Sequence, residues 1–258
     1  MASKGKFHLI WPPAAVMAGL LLIWQIVTST FNIEEWILPS PYAIGTEMQE
    51  AWPRLMEHTA ATIRITLLGF GAGTAAGFVL AALLHFIPGA RTALYPLLVL
   101  TQNIPLIVLG DLLVIWFGFG LMPKLILLVL VCFFPVCVSM LTGLRQADEK
   151  LVTYMRMIGA SRSQLFWRLE LPGSLSHLFT GLKIAASYCV ISAIYAETIG
   201  SNVGLGVFIR LASNGWETSR VFAGIIMIVA LSLLLFGLIA GIERLTLRWQ
   251  VREEAAGQ

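Results

Sequence analysis

Two carboxylates and two amides lie within runs of apolar residues, where polar side chains are rare. Asp111 stands in VLGDLLVIW, Glu197 follows a long apolar run, and Gln102 and Asn103 come just before Pro105. Polar groups inside the hydrocarbon region of a membrane are costly, and they usually mark a transport path or a bond between helices. We take Gln102 and Asn103 as the first candidates for a solute path, and Asp111 and Glu197 as candidates for its outward-facing end.

A later apolar run offers polar partners for these amides. Tyr188 and Ser192, with Ser187 beside them, are candidates to face Gln102 and Asn103. For the serines the alternative is hydrogen bonding between helices. For Asp111, about 18 residues and hence ~27 Å along its run from the inner face, the alternative is a carboxyl that bonds a neighbouring helix or is protonated.

The remaining reactive residues form no catalytic or metal-binding pattern. The three cysteines all lie in apolar runs without CxxC spacing, and the four histidines are scattered along the chain. The glycine-rich GAGTAAG is not followed by the GK[ST] of a phosphate loop. We expect no metal, no covalent catalysis and no ATP binding by this route.

Composition places these residues in a membrane protein. The 258 residues are 58% hydrophobic and 12% charged, whereas soluble domains carry about 25% charged residues. Several apolar runs reach the ~20 residues that cross a bilayer. The sequence predicts a single all-α membrane domain over residues 1–258, with six spans at about 14–30, 60–86, 93–117, 122–143, 175–199 and 221–243.

Basic residues orient these spans, because cytoplasmic loops carry an excess of Lys and Arg. If the N-terminus is cytoplasmic, the inner side carries Lys4, Lys6, Arg91, Arg145, Lys150, Arg156, Arg162, Arg168, Arg244, Arg248 and Arg252. The outer side then carries Arg54, Arg64, Lys124, Arg210 and Arg220, and Lys183, near the inner end of the fifth span, is left uncounted. We predict that both termini are cytoplasmic.

Glycines recur every four residues in the second span, at Gly69, Gly73 and Gly77. Such a stripe lets a neighbouring helix approach closely. We interpret it as a packing face without a role in transport.

The segment 145–172 is a polar interruption with helix signals of its own. Asp148 suits the N-cap of a first helix, on which Leu151, Tyr154, Met155 and Ile158 form an apolar stripe. Gly159 suits the left-handed residue that ends a helix.

A second short helix is predicted directly afterwards. Ser161 and Gln164 form a capping box, Leu165 and Phe166 belong to its apolar face, and Pro172 is expected to stop it. Amphipathic helices of this kind often lie at the lipid surface. Two helices joined by an enforced turn have more defined geometry than a surface anchor needs, so docking to a partner is the sharper hypothesis.

The same segment resembles a known family. Gly159, nine residues and then Leu169-x-Leu171-Pro172 are similar to the cytoplasmic EAA loop of the permease subunits of bacterial ABC importers, although Thr153-Tyr154-Met155 replaces EAA. ILPSPYAIGTEM, VIWFGFG, FFPV and GLKIAASY resemble, in the same order, the membrane subunits of nitrate, sulfonate, taurine and pyrimidine-precursor importers.

The resemblance implies that the loop couples the permease to a separate ATP-hydrolysing subunit, which binds ATP and Mg. The coupling residues it implies are Tyr154, Met155, Ile158, Gly159, Ala160, Ser161, Gln164, Leu165, Phe166, Leu171 and Pro172. It also implies a second permease copy or close homologue, an extracytoplasmic solute-binding protein, and a location in the bacterial inner membrane among its lipids. No nucleic acid partner is expected.

The expected substrate is a small solute. The segments CFFPV, GLKIAASY and QNIP favour a pyrimidine or other aromatic vitamin precursor over sulfonate, taurine or nitrate. Two other classes stay open: a secondary transporter with Asp111 and Glu197 as ion-coupling carboxylates, although we find no inverted repeat, and an intramembrane enzyme, for which only two separated carboxylates are present.

Overall fold

The computed structural model of the protein describes residues 4–87 and 89–248, and this part of the chain is helical and contains no strand. Arg252, one of the basic residues assigned to the inner side, lies outside the described residues. The helices are α1 (Lys4–Thr30), α2 (Pro41–Glu50), α3 (Trp52–Phe86), α4 (Ala90–Gln102), α5 (Leu106–Phe117), α6 (Leu121–Leu144), α7 (Glu149–Met157), α8 (Arg162–Leu165), a π-helical turn (Phe166–Glu170), α9 (Leu171–Gly200), α10 (Leu205–Asn214) and α11 (Thr218–Thr246).

The all-helical membrane fold is confirmed. Within the described residues five continuous helices are long and apolar enough to cross a membrane, and they are Trp11–Thr30, Trp52–Phe86, Leu121–Leu144, Arg162–Gly200 and Thr218–Thr246. A sixth span exists only if α4 and α5 are counted together. The predicted straight span 93–117 is wrong, because these two helices meet at an angle of 96°.

Proline chemistry explains this break. Pro105 has no amide hydrogen, and it disfavours the helical conformation at the residue before it. α4 therefore ends at Gln102 with Asn103 as its C-cap, and α5 begins at Leu106. The break exposes polar backbone and side chains at the position where the sequence places two amides.

The centre of the fold is formed by α3, α6 and α9, and the glycines of α3 allow its closest contact. A Cβ atom added at Gly73 would lie 2.6 Å from the Cys132 Cβ of α6, and one added at Gly77 would lie 2.5 Å from the Phe133 carbonyl oxygen. Both distances are shorter than van der Waals contact. The predicted packing face is confirmed for Gly69, Gly73 and Gly77.

Two outer helices, α2 and α10, were not predicted. The Ser40 hydroxyl accepts a hydrogen bond from the Ala43 amide (3.1 Å), and Pro41 occupies the first turn of α2. A serine N-cap followed by proline is a recognised helix start. The helix signal is therefore present in SPYAIG, which lies outside the six predicted spans.

The loop between α6 and α9 has the predicted caps. The Asp148 carboxylate accepts from the Lys150 amide (2.8 Å), and Ser161 and Gln164 bond reciprocally at 2.8 and 3.3 Å. Gly159 has φ +81°, and the amide of Ala160 donates to the Met155 carbonyl at 2.9 Å. This pattern is a Schellman motif, which fixes the direction of the chain after α7.

The prediction that Pro172 stops the second loop helix is wrong. α8 passes through the π-helical turn into α9, so one helix of 39 residues runs from Arg162 to Gly200. In this turn the Leu171 amide donates to the Phe166 carbonyl, five residues back. The wider turn accommodates Pro172 without ending the helix.

Candidate functional site

A cavity of about 460 Å³ lies at the break between α4 and α5. Its lining comes from the break itself and from α6 and α9, and it includes Gln102, Asn103, Phe133, Tyr188, Ile191 and Ser192. The structure thus brings four of the six predicted path residues together, although Tyr188 and Ser192 lie more than 80 residues beyond Asn103 along the chain. Its size is typical of small-molecule sites.

Hydrogen bonding within the cavity leaves some polar groups available. The Asn103 side-chain amide donates to the Val99 carbonyl (3.0 Å), and the Ser192 hydroxyl donates to the Tyr188 carbonyl of its own helix (2.7 Å). The Gln102 side-chain amide and the Tyr188 hydroxyl have no hydrogen bond within the part of the chain that the structure describes. An amide and a phenol can together donate to and accept from a polar solute.

Among the residues that the structure describes, no charged side chain lines this cavity. Asp111 lies on α5 with its side chain exposed, and it is not part of the lining. The depth of ~27 Å expected for it assumed a straight helix, and the 96° bend removes that assumption. Tyr195 of α9 donates to the Ile107 carbonyl (2.9 Å), which ties α5 to the central helices.

Glu197 does not line an outward-facing vestibule, in contrast to the prediction. Its residue is 2% exposed, and its carboxylate accepts from the Thr62 hydroxyl (2.7 Å) and from the Gly206 amide (2.9 Å). The Thr62 oxygen in turn accepts from the Leu205 amide (2.9 Å). Glu197 therefore holds the start of α10 against α3 and α9.

His58 and Lys124 make further hydrogen bonds beside the Glu197 contacts. The His58 Nδ1 atom lies 2.8 Å from the Gly204 carbonyl oxygen and 3.0 Å from its amide nitrogen. The Lys124 ammonium donates to the Gly200 carbonyl (2.8 Å) and to the Ser201 hydroxyl. The intramembrane carboxylate was recognised from the sequence, whereas its partners lie on separate helices and gave no local signal.

The loop between α6 and α9 presents an uncovered apolar face. No residue of α7 is buried, and Tyr154 and Ile158 are 61% and 64% exposed. Ser161 and Gln164 are exposed, while Met155 and Ala160 are half-buried. These residues lie where a partner could contact them.

Leu165 and Phe166 were predicted to contact a partner, and the structure places them inside the chain instead. They are 4% and 2% exposed. The Phe166 ring lies 4.8 Å from that of Phe86, centroid to centroid. Beside them the His85 Nε2 atom is 2.7 Å from the Glu170 carboxylate. Apolar periodicity finds a buried face but does not say which surface buries it.

Leu171 and Pro172 are half-buried at the start of α9. They connect the loop to the central helices, while α7 carries the exposed face. Among residues 4–87 and 89–248, no group of three or more His, Cys, Asp or Glu side chains is arranged to hold a metal ion.

Comparison with known proteins identifies the family of the chain. Residues 73–248 match the family described as binding-protein-dependent transport system inner membrane component. The formylaminopyrimidine transport permease protein ThiX of Halalkalibacterium halodurans is 33% identical over 242 residues, which cover 93% of this chain and 96% of that protein. The taurine transport system permease protein TauC of Escherichia coli is 32% identical and covers 89% and 86%.

The fold is also similar to a solved structure. A chain of the MetNI methionine ABC transporter in an inward-facing conformation superposes with a TM-score of 0.68 at 18% identity, covering 76% of this chain and 98% of that one. At this identity the likeness concerns the fold alone. The matched family and the relatives above 30% identity show that the chain belongs to the binding-protein-dependent inner membrane components, the multi-pass permease subunits of ABC transporters.

Proposed function

We propose that the chain forms, with a second copy of itself, the path of an ATP-driven importer for a small uncharged solute, a pyrimidine or other aromatic vitamin precursor. Separate subunits bind ATP and Mg and seat on the α7 face, and an extracytoplasmic protein delivers the solute. Both termini lie in the cytoplasm. The observation that carries the substrate class is the uncharged cavity at the break between α4 and α5.

The cavity chemistry favours a neutral solute over an anion. Sulfonate, taurine and nitrate carry a negative group, and proteins commonly hold such groups with the charged donors of Arg or Lys. The cavity instead offers Gln102, Asn103 and the Tyr188 hydroxyl beside the aromatic ring of Phe133. Hydrogen-bonding side chains beside an aromatic face suit a flat heterocycle.

The loop supports ATP-driven coupling. Its turn is fixed by the Schellman motif at Gly159 and by the capping box at Ser161, while the apolar face of α7 is uncovered. A firmly capped helix that presents Tyr154 and Ile158 has the form of a docking element. A transporter driven by an ion gradient has no use for it.

The test is uptake into proteoliposomes that contain the permease, its ATP-binding subunit and its binding protein. We expect uptake of a radiolabelled aminopyrimidine that needs ATP, with no uptake of labelled taurine. Gln102→Ala is expected to lower the uptake rate about three- to tenfold, the worth of one neutral hydrogen bond. Gln49→Ala, an exposed amide on α2, is the matched control.

Three results would contradict the proposal in different ways. Uptake that follows an ion gradient without ATP would identify a secondary transporter. ATP-dependent uptake of taurine alone would overturn the substrate class but not the permease function. Equal rates for the Gln102→Ala and wild-type proteins would remove the cavity from the path.

A further inference from the structure

A second cavity, of about 370 Å³, lies under the turn between α7 and α8. It opens beside the exposed face of α7, away from the break between α4 and α5. Its lining residues are His85, Arg156, Ala160, Arg162, Leu165 and Glu170.

The charges around this cavity do not cancel. His85 and Glu170 bond each other at 2.7 Å, so the one carboxylate in the lining is already engaged. Neither Arg156 nor Arg162 has a hydrogen bond or ion pair within the described residues. Two guanidinium groups, each with five N–H donors and no acceptor, therefore border one cavity. The planar guanidinium group matches a carboxylate, which accepts two parallel hydrogen bonds from it.

The position of the cavity points to a protein as the source of this carboxylate. Arg156 lies on α7 between the exposed Tyr154 and Ile158, so a partner that covers this apolar face also reaches the cavity. The other end of α7 carries Asp148 and Glu149 beside Lys150, all three exposed. A surface that presents exposed charges of both signs fits a groove of complementary charge better than a uniformly anionic lipid surface.

We propose that an acidic side chain of the ATP-binding subunit inserts into this cavity and pairs with Arg156 and Arg162. The inference rests on the proposed function, since it assigns the chemistry of the partner that docks on α7. It makes these two arginines determinants of which ATP-binding subunit the permease accepts.

The test measures the affinity of the cognate ATP-binding subunit for the purified full-length permease in neutral detergent. Truncating a buried charged pair commonly weakens binding about 30-fold or more. We expect at least this loss for the double variant Arg156→Gln/Arg162→Gln, and less salt dependence than in the wild type. Arg168→Gln, exposed on the same segment but outside the cavity lining, is expected to bind within about twofold of wild type.

Charge reversal makes the test specific. Arg162→Glu is expected to lose binding, and one Asp or Glu to Arg change in the ATP-binding subunit is expected to restore it. Each variant is first checked for monodisperse elution. The single variants Arg156→Lys and Arg162→Lys, which keep the charge but lose the planar fork, are expected to retain intermediate affinity and serve where a Gln variant does not fold.

Four results overturn the inference. The first two are wild-type affinity in the double variant and no rescue by any acidic-to-basic change. The third is a loss seen only in bilayers of anionic lipid, which would assign the arginines to lipid headgroups. The fourth is an equal loss in Glu253→Gln/Glu254→Gln, which would assign the cavity to the chain's own acids. A wild-type permease that binds no ATP-binding subunit would instead contradict the proposed function.

Discussion

Replacement of Glu197 by alanine tests whether this carboxylate stabilises the fold or takes part in transport. The side chain is buried, and it accepts hydrogen bonds from the Thr62 hydroxyl at 2.7 Å and from the Gly206 amide at 2.9 Å. Glu197→Ala removes both acceptors. The buried Gly206 amide then has no partner, whereas the Thr62 hydroxyl keeps only its longer bond to the His58 carbonyl at 3.1 Å. The start of α10 then loses its attachment to α3 and α9.

The size of the effect follows from these two donors. A buried donor without a partner costs about 1–3 kcal/mol, which gives about 2 kcal/mol for the stranded Gly206 amide. The lost bond from the Thr62 hydroxyl adds about 1 kcal/mol, so the sum is roughly 3 kcal/mol. For a chain of this length 1 kcal/mol shifts Tm by about 2–4 °C. We therefore expect Tm to fall by about 6–12 °C. Glu197→Gln keeps one acceptor oxygen and is expected to lose about half as much.

The assay is thermal unfolding of the purified permease in detergent. Glu57→Ala removes an exposed acid of α3 and should shift Tm by less than about 2 °C. Thr62→Val should couple with Glu197→Ala, so that the double variant loses less than the sum of the two single losses. A Glu197→Ala protein as stable as Glu57→Ala, yet unable to transport, would refute the structural role.

Two further predictions concern glycines. Gly159→Val places a β-branched residue at φ +81° in open space, so it adds backbone strain of about 1–2 kcal/mol without a steric clash. We expect solute-stimulated ATP hydrolysis by the reconstituted complex to fall several-fold. Gly159→Asn, which tolerates this conformation, is expected to stay near wild type. Equal activity of both variants would exclude a role for this turn. Gly73→Val should destabilise the packing of α3 on α6 by about 2–3 kcal/mol, whereas Gly71→Val, with nothing within 4 Å, should not. Thermal unfolding of the two purified variants measures this difference. Equal losses of stability would contradict the packing argument.

The parts of the fold that sequence reasoning found are those set by local chemistry. Asp148, Gly159 and the capping box at Ser161 act within a few residues of themselves, and each has the predicted geometry. Continuous spans are found from apolar length alone. The stripe at Gly73 was also readable, because its spacing follows the helix period.

The parts that were missed depend on contacts between distant segments. Pro105 is a helix-breaking residue, but the sequence does not give the 96° angle between α4 and α5. That angle depends on how α5 packs on α6 and α9. Leu165 and Phe166 have an apolar periodicity that suits a partner or the chain's own core, and only the position of Phe86 decides between them. For Glu197 the deciding group is a backbone amide, at Gly206, which has no residue-specific signature.

The continuous helix from Arg162 to Gly200 has a mechanical consequence. With 39 residues it is about 58 Å long, and it carries an arginine of the second cavity at one end, Tyr188 and Ser192 of the first cavity further along, and Glu197 near the other end. Such a rod acts as a lever: a tilt of about 10° around its midpoint moves the two ends roughly 5 Å in opposite directions. In the proposed importer, a displacement of the loop by the ATP-binding subunit and a movement of the far end of this helix would be two parts of one rotation.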